Sequence, residues 1–268
     1  MFDSTGSGAI CPESSAPQHI PSLSATPAAS PGRGCLAGPV NTPAPAEPTT
    51  VLFDIDGTLV DSNYLHVEAW DQAFAAVGHP VDVWRIHRSI GMDSGAMLER
   101  VLGADAQSVG DAAKDEHGRT YQGMSDRLRP IGGARELLAE LSRRGHAVVL
   151  ATSAPQEELD MLLDVLDVND SVEAVTSAED VESAKPSPDI IETALDRAHA
   201  PADRAVMVGD SIWDIAAARR AGVASIGVLS GGYGREELLS AGAAAVYEDA
   251  QDLLDQLDES PISRRPAP

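Results

Sequence analysis

Val51-Leu52-Phe53-Asp54-Ile55-Asp56-Gly57-Thr58-Leu59-Val60 is the stretch whose reading decides the fold of this chain. Thr50 to Phe53 are apolar or β-branched, which predicts a short strand covered on both faces, and Gly57 marks the end of the extended run. Side chains two apart in an extended segment point the same way. Asp54 and Asp56 are therefore expected to face one space just beyond a strand's carboxyl end, where open α/β sheets hold their ligands. Two neighbouring carboxylates repel each other, so such a place calls for a cation or a shared proton. An isolated Asp-x-Asp-Gly is also ordinary turn chemistry, and the rest of the chain has to decide between the two.

Working outward, residues Ser62 to about Leu128 show helical spacing and no convincing strand. Apolar residues recur at three and four in Tyr64, Leu65, Val67, Trp70, Phe74 and Val77, and again around Val83, Trp84, Ile86 and Ile90. From Pro130 the pattern turns to alternating helix and buried strand. Strands are expected at Ala147–Ala151, Ala174–Thr176, Ala205–Val208, Ala224–Leu229 and Ala244–Val246. Between and around them helices are expected at Ala134–Arg144, Pro155–Leu166, Pro188–Ala198, Ile212–Ala221, Glu236–Ala241 and Ala250–Leu257. Strands separated by helices imply an α/β fold with a doubly wound, parallel, Rossmann-like sheet, its first strand set apart from the others by an α-helical insert.

The first 48 of the 268 residues are dense in Pro, Ala, Ser, Gly and Thr. Such a segment cannot bury enough apolar surface to offset chain entropy, so 1–48 is expected to be disordered, as is a short end at 260–268. The expected folded part is a core domain of 49–62 and 129–259 and a helical cap domain of 63–128. Both cysteines, Cys11 and Cys35, fall in the first 48 residues, which leaves the folded part without disulfide or thiol chemistry and suits a reducing compartment. No signal-peptide pattern and no membrane-length apolar run is present, so the cytoplasm is the expected location, with no membrane partner. The first 48 residues hold Arg33 against Asp3, Glu13 and Glu47, a net of −2, so −21 of the formal −23 belongs to the remainder. That surface repels nucleic acid, and any phosphate site in it must bring its own positive charge or metal.

Three more polar signals fall at expected strand ends. Thr152-Ser153 follows Val148-Val149-Leu150-Ala151 and offers hydroxyls and free N–H groups before a helix, either as an anion site or as a plain helix cap. Lys185 precedes Pro186 and Pro188 in a loop that enters a helix; alone it would be read as a solvated charge. Gly209-Asp210-Ser211 closes another strand, and Asp214 follows Asp210 by four, which sets both carboxylates on one side of the first helical turn, as catalytic groups or as capping groups.

Their order along the chain, taken with the first motif, resembles the four motifs of the haloacid dehalogenase (HAD) superfamily over Val51 to about Leu257. Asp54-Ile55-Asp56-Gly57-Thr58 looks like the first, Thr152 the second, Lys185 the third and Gly209-Asp210-Ser211-Ile212-Trp213-Asp214 the fourth. The helical insert directly after the first motif resembles the small α-helical cap of the phosphoglycolate phosphatase and β-phosphoglucomutase branch. The resemblance implies Asp54 as nucleophile and Asp56 as general acid and base. It implies Mg2+ held by the Asp54 carboxylate, the Asp56 backbone carbonyl and Asp210, with Asp214 orienting water from behind, and Thr152, Ser153 and Lys185 binding the phosphoryl oxygens. In the cap, His66 resembles a histidine that couples cap closure to acid–base chemistry, and Arg88 opens a stretch, Arg88 to Gly95, that looks like a substrate-specificity loop. Trp70, one turn from His66, is read as core. The mutase branch places an arginine shortly after the loop glycine, where this chain has Met92-Asp93-Ser94, and dehalogenases lack the second aspartate that Asp56 supplies. The expected activity is hydrolysis of a small phosphorylated metabolite, a sugar phosphate or phosphoglycolate. A phosphosugar mutase is the second reading, and a non-catalytic phosphometabolite-binding protein the third.

Overall fold

The computed structural model describes residues 49–181 and 185–263, so the tail expected at 1–48 lies outside the described residues. Strand β1 (Thr50–Phe53) is buried at all four positions. It is followed by α1 (Asn63–Ala76), α2 (Val83–His87), α3 (Ser94–Leu102) and α4 (Ala106–Gln122). Then come α5 (Ala134–Arg143), β2 (Ala147–Ala151), α6 (Gln156–Leu166), β3 (Ala174–Thr176), α7 (Asp189–Arg197), β4 (Ala205–Gly209) and α8 (Ile212–Arg220). The order ends with β5 (Ala224–Val228), α9 (Arg235–Ala241), β6 (Ala245–Tyr247) and α10 (Ala250–Asp255). The strands form one parallel sheet in the order β3-β2-β1-β4-β5-β6. This is the doubly wound order whose direction reverses beside the first strand, and ligands bind at that reversal.

Alternation along the strands sends side chains to two separate apolar layers. Val51, Phe53, Val148, Leu150, Val206 and Val208 pack with Leu138 of α5, Leu162 of α6 and Leu253 of α10. Leu52, Val149 and Met207 face the other way, onto Ile190 and Ala194 of α7 and Ala218 of α8. With Phe53 in register between Leu150 and Val208, the carboxyl ends of β2, β1 and β4 come level with one another. That alignment is what can gather residues 54, 152 and 210.

The helical insert has its own apolar cluster, built from Val67, Trp70 and Phe74 of α1, Ile86 of α2, Met97 and Val101 of α3, and Ala113 of α4. Leu65 and Ala69 on the other flank of α1, with Tyr121 of α4, join the layer under the sheet instead, so the cap is seated on the core by two of its own helices. Trp70 is buried in the cap cluster, as the sequence reading has it.

One boundary moves. Ser260 and Ile262 are fully buried, Ile262 against the layer that holds Leu253 and Leu257, so the folded core runs past 259. A single isoleucine among polar residues and prolines gives no periodic signal, which is why sequence alone places that end too early. Residues 264–268 lie outside the described residues.

Candidate active site

The turn after β1 is tight. The amides of Thr58, Leu59 and Val60 all donate to the Ile55 carbonyl, and Gly57 takes φ +71°. A Cβ at Gly57 would lie 2.3 Å from Asn63 Nδ2 and 2.8 Å from Asp210 Oδ2, so glycine is required there for both reasons. The turn leaves Asp54 buried and Asp56 half-buried on one cavity.

Beside Asp54 lies the Lys185 ammonium, brought by the loop before α7. It pairs with Asp54 Oδ1 and, at 2.8 Å, with Asp214 Oδ1. Asp214 is held in turn by Ser211, whose hydroxyl donates at 2.6 Å and whose amide donates at 3.0 Å to Asp214 Oδ2. Asp210 accepts from Thr58 Oγ1 at 3.2 Å and from Asn63 Nδ2 at 2.8 Å. A Cβ at Gly231 would sit 1.6 Å from Asp210 Oδ2, so that position also admits only glycine. Asp54, Asp210 and Asp214 can each turn an oxygen so that all three lie within 4.8 Å of one another.

Three buried carboxylates beside one ammonium are short of positive charge. Burial, then the nearby Asp214 and Asp56, raise the Asp54 carboxyl to about 7 despite the Lys185 ammonium. Burial, then Asp214 and Asp54, push Asp210 well above its ordinary value. Burial acts to lower the Lys185 ammonium, but Asp214 and Asp54 outweigh it and hold it charged. The donors are oxygens in a tight, rigid set, which suits a small hard divalent cation.

Thr152 and Ser153, at the end of β2, both line the cavity with Lys185. Thr152 Oγ1 accepts from the Ala154 amide at 3.0 Å in the loop before α6, whose cap falls at Pro155 with no side-chain bond, whereas Ser153 Oγ is buried without a hydrogen-bond partner among the described residues. On the cap side, His66 reaches down: its Nε2 is 3.3 Å from Asp56 Oδ1, and its Nδ1 is 3.0 Å from His117 Nε2. Ser62 Oγ also donates to Asp56 at 2.6 Å. Although burial acts to raise the Asp56 carboxyl, the His66 and Ser62 bonds hold it below its ordinary range; the same Asp56 contact lifts His66 above its own, against burial. His117 stacks on Trp70 with ring centres 4.2 Å apart, and burial followed by the charge of His66 pushes it down to about 2.

The cavity has a volume of about 1000 Å³. It runs from Asp54 and Lys185 to Lys114 and Glu158, with the loop from Ser89 to Ser94 along one side. Arg88 is not brought to it. Its guanidinium pairs with Glu237 through two bonds, at 2.6 and 3.2 Å, and lies 4.3 Å over the Tyr233 ring.

A family model described as haloacid dehalogenase-like hydrolase matches residues 51–228, the span holding every one of these core residues. The chain belongs to the haloacid dehalogenase-like hydrolase family. It is an enzyme, a phosphoric monoester hydrolase of that family. It is 33% identical over 222 residues to a phosphoglycolate phosphatase of Rhodospirillum rubrum, covering 78% of this chain and 91% of that protein. It is 29% identical to a phosphorylated carbohydrates phosphatase of Thermotoga maritima, covering 78% and 98%. Among solved structures, a hydrolase from Pseudomonas syringae superposes with a TM-score of 0.75 at 38% identity, over 79% of this chain and 98% of that one.

Several residues in and around this cavity escape a reading of the sequence. Asn63 looks like an ordinary helix start, and nothing local says that its amide serves Asp210. His117 and Tyr121 repeat at four on α4, the spacing of a shared face, but what that face meets is His66 on α1, some fifty residues earlier. Glu158, buried on α6, looks like one of two surface acids in Gln156-Glu157-Glu158.

Proposed function

We propose that the protein is a Mg2+-dependent phosphatase that hydrolyses a small phosphomonoester, of the sugar phosphate or phosphoglycolate kind, through an aspartyl-phosphate on Asp54. The observation that carries this is the Lys185 ammonium lodged between Asp54 and Asp214, with Asp210 alongside and Asp56 on the same cavity. In this reading Asp54, the Asp56 backbone carbonyl and Asp210 hold Mg2+, and Asp214 is kept for orientation because Lys185 and Ser211 already occupy its oxygens. Bound there, the cation neutralises the charge on the phosphoryl group and on the carboxylates that hold it.

Lys185, Thr152 and Ser153 bind the phosphoryl oxygens, and the orphaned Ser153 hydroxyl is a donor free for that task. An Asp54 oxygen attacks phosphorus and the bond to the leaving oxygen breaks. Asp56 delivers a proton to that oxygen, drawing on the proton it shares with His66 at 3.3 Å. Asp56 then takes a proton from water, whose oxygen attacks the aspartyl-phosphate, frees inorganic phosphate and restores Asp54. The cap keeps other water away while the first step runs.

The phosphatase reading over the mutase one is supported by the loop wall. Met92, Asp93 and Ser94 line the cavity where a second phosphate would need a cation, and the Asp93 carboxylate is spent on capping the Ala96 amide at 3.0 Å. The test is β-glucose 1-phosphate with a trace of the 1,6-bisphosphate. Free phosphate is expected to form faster than glucose 6-phosphate, and the reverse would replace hydrolysis by mutation. Phosphate release from other phosphomonoesters, with neither product from this sugar, would leave the phosphatase reading standing.

A further inference from the structure

Glu158 is a buried carboxylate, 8% exposed, on the cavity wall away from Asp54. No hydrogen bond joins it to a described residue, and its pairing with His117 Nδ1, at 4.0 Å, is beyond hydrogen-bond reach. A carboxylate taken out of bulk water and left without donors is a costly arrangement unless something else supplies them. Burial acts on it in that sense, raising its carboxyl above the ordinary range against the pull of His66 and Lys114, with the nearby Asp56 adding to the rise. The rest of that end of the cavity is acidic as well. Asp115, Glu157 and Glu179 line it against Lys114 and Arg119, and Arg119 is already taken by Glu116 at 2.5 Å. At about 1000 Å³ the cavity also has far more room than a two-carbon leaving group would fill.

We propose that Glu158 is a specificity residue whose carboxylate accepts hydrogen bonds from hydroxyl groups on the leaving part of the substrate, so that the enzyme takes phosphorylated polyols, such as sugar phosphates, and rejects phosphomonoesters whose far end is a second anion. The inference rests on the phosphatase reading and narrows its substrate. Hydroxyls are the donors that match: they are neutral, they come in adjacent pairs on a sugar, and they satisfy both carboxylate oxygens without needing a counter-charge. A carboxylate or second phosphate in the same place would meet Glu158 with no donor to offer and with like charge.

The test uses the full chain with Mg2+ and compares a set of aldose, ketose and polyol phosphates with phosphoglycolate and p-nitrophenyl phosphate. The wild type is expected to show kcat/KM at least about tenfold higher for its best polyol phosphate than for phosphoglycolate, the scale of one charge-assisted hydrogen bond. Glu158→Gln is expected to raise KM for that polyol phosphate about tenfold, and to cost it several times more in kcat/KM than it costs p-nitrophenyl phosphate. Glu158→Asp, which keeps the charge and withdraws the oxygens, serves if the glutamine variant does not fold. A wild type that prefers phosphoglycolate overturns the proposal, and so does a variant that scales all substrates by one factor. Phosphate release from none of them removes the phosphatase reading itself, and the role of Glu158 with it.

Discussion

The two ends of the cavity are built on opposite plans. At the Asp54 end the charged groups are interlocked: Lys185 bridges Asp54 and Asp214, Ser211 clamps Asp214, and Thr58 and Asn63 clamp Asp210. At the other end Glu158 waits for donors and Lys114 has no ion-pair partner among the described residues. Groups that must meet a developing charge are useful only if they do not have to reorganise, so the near end is rigid before any substrate arrives. Groups that choose a substrate work by leaving bonds for it to complete, and a wrong substrate is penalised by the bonds it leaves unmade. The difference can be broken from either side.

The largest effect is expected at the near end. Asp54→Asn keeps the shape and removes the oxygen proposed to attack phosphorus, so turnover should fall by about a thousandfold or more with the melting temperature little changed. Activity above roughly 1% of wild type would take the nucleophile's role from Asp54. Asp56→Asn should be severe for sugar phosphates yet permit slow phosphorylation of Asp54 by aryl phosphates, whose leaving group needs little protonation; trapping of labelled enzyme measures it.

Metal removal comes next. Chelation should abolish turnover, Mg2+ should restore it, and Ca2+ should inhibit, because its larger and looser shell disturbs in-line attack. The sign of the pH dependence follows from Asp54, whose carboxyl stands at about 7 in the folded protein against an ordinary 3.8. A group raised in this way stabilises the metal-free fold below its unfolded value, and that contribution is lost as pH rises through about 7. Asp210 moves in the same direction. The rise in melting temperature on adding Mg2+ should therefore be larger at pH 8 than at pH 6, with weaker apparent Mg2+ affinity at the lower pH. An equal rise at both would mean that these carboxylates are not what the cation relieves.

A smaller, substrate-dependent effect is expected where the two ends are joined. His117 touches neither phosphorus nor metal in this arrangement; it holds His66 Nδ1 at 3.0 Å and so sets how His66 Nε2 meets Asp56. Replacing it with Asn should cost about tenfold on alkyl phosphates and much less on p-nitrophenyl phosphate, since in the proposed mechanism only the former depend on a proton from Asp56. Equal losses on both would reduce His117 to a packing residue for Trp70 and Tyr121.

The near end was also the legible one. Each of its groups lies near a strand end or a turn into a helix, so their order could be matched to the four family motifs, but Thr152 and Lys185 taken singly read as a cap and a solvated charge, and Asn63 gave no signal. The sheet's elements were readable because period and punctuation agreed. Helices of the cap could be read as helices, but their faces could not be matched: His66 and His117 are both ordinary polar positions until α1 lies on α4. The core boundary at Ile262 depended on a contact with Leu253 and Leu257 that no local pattern announces.

Arg88 gives the smallest expected effect and the sharpest check on where the far end stops. Its place in the loop suggested a substrate contact, but the structure spends it on Glu237 and Tyr233 across the boundary between cap and core. Both partners of the ion pair are substantially exposed, which limits such a pair to about 0–1 kcal/mol, and stacking of the partly exposed guanidinium over the buried Tyr233 ring adds about 1 kcal/mol. Arg88→Ala should therefore lower the melting temperature by about 2–4 °C. Since Arg88 does not line the cavity, KM for any phosphomonoester should change less than about threefold. A tenfold rise in KM confined to substrates with an anionic far end would show that the guanidinium leaves Glu237 to meet them. The selective wall would then extend through the loop to Arg88, and the acidic character argued for it from Asp115, Glu157 and Glu158 would have to be redrawn.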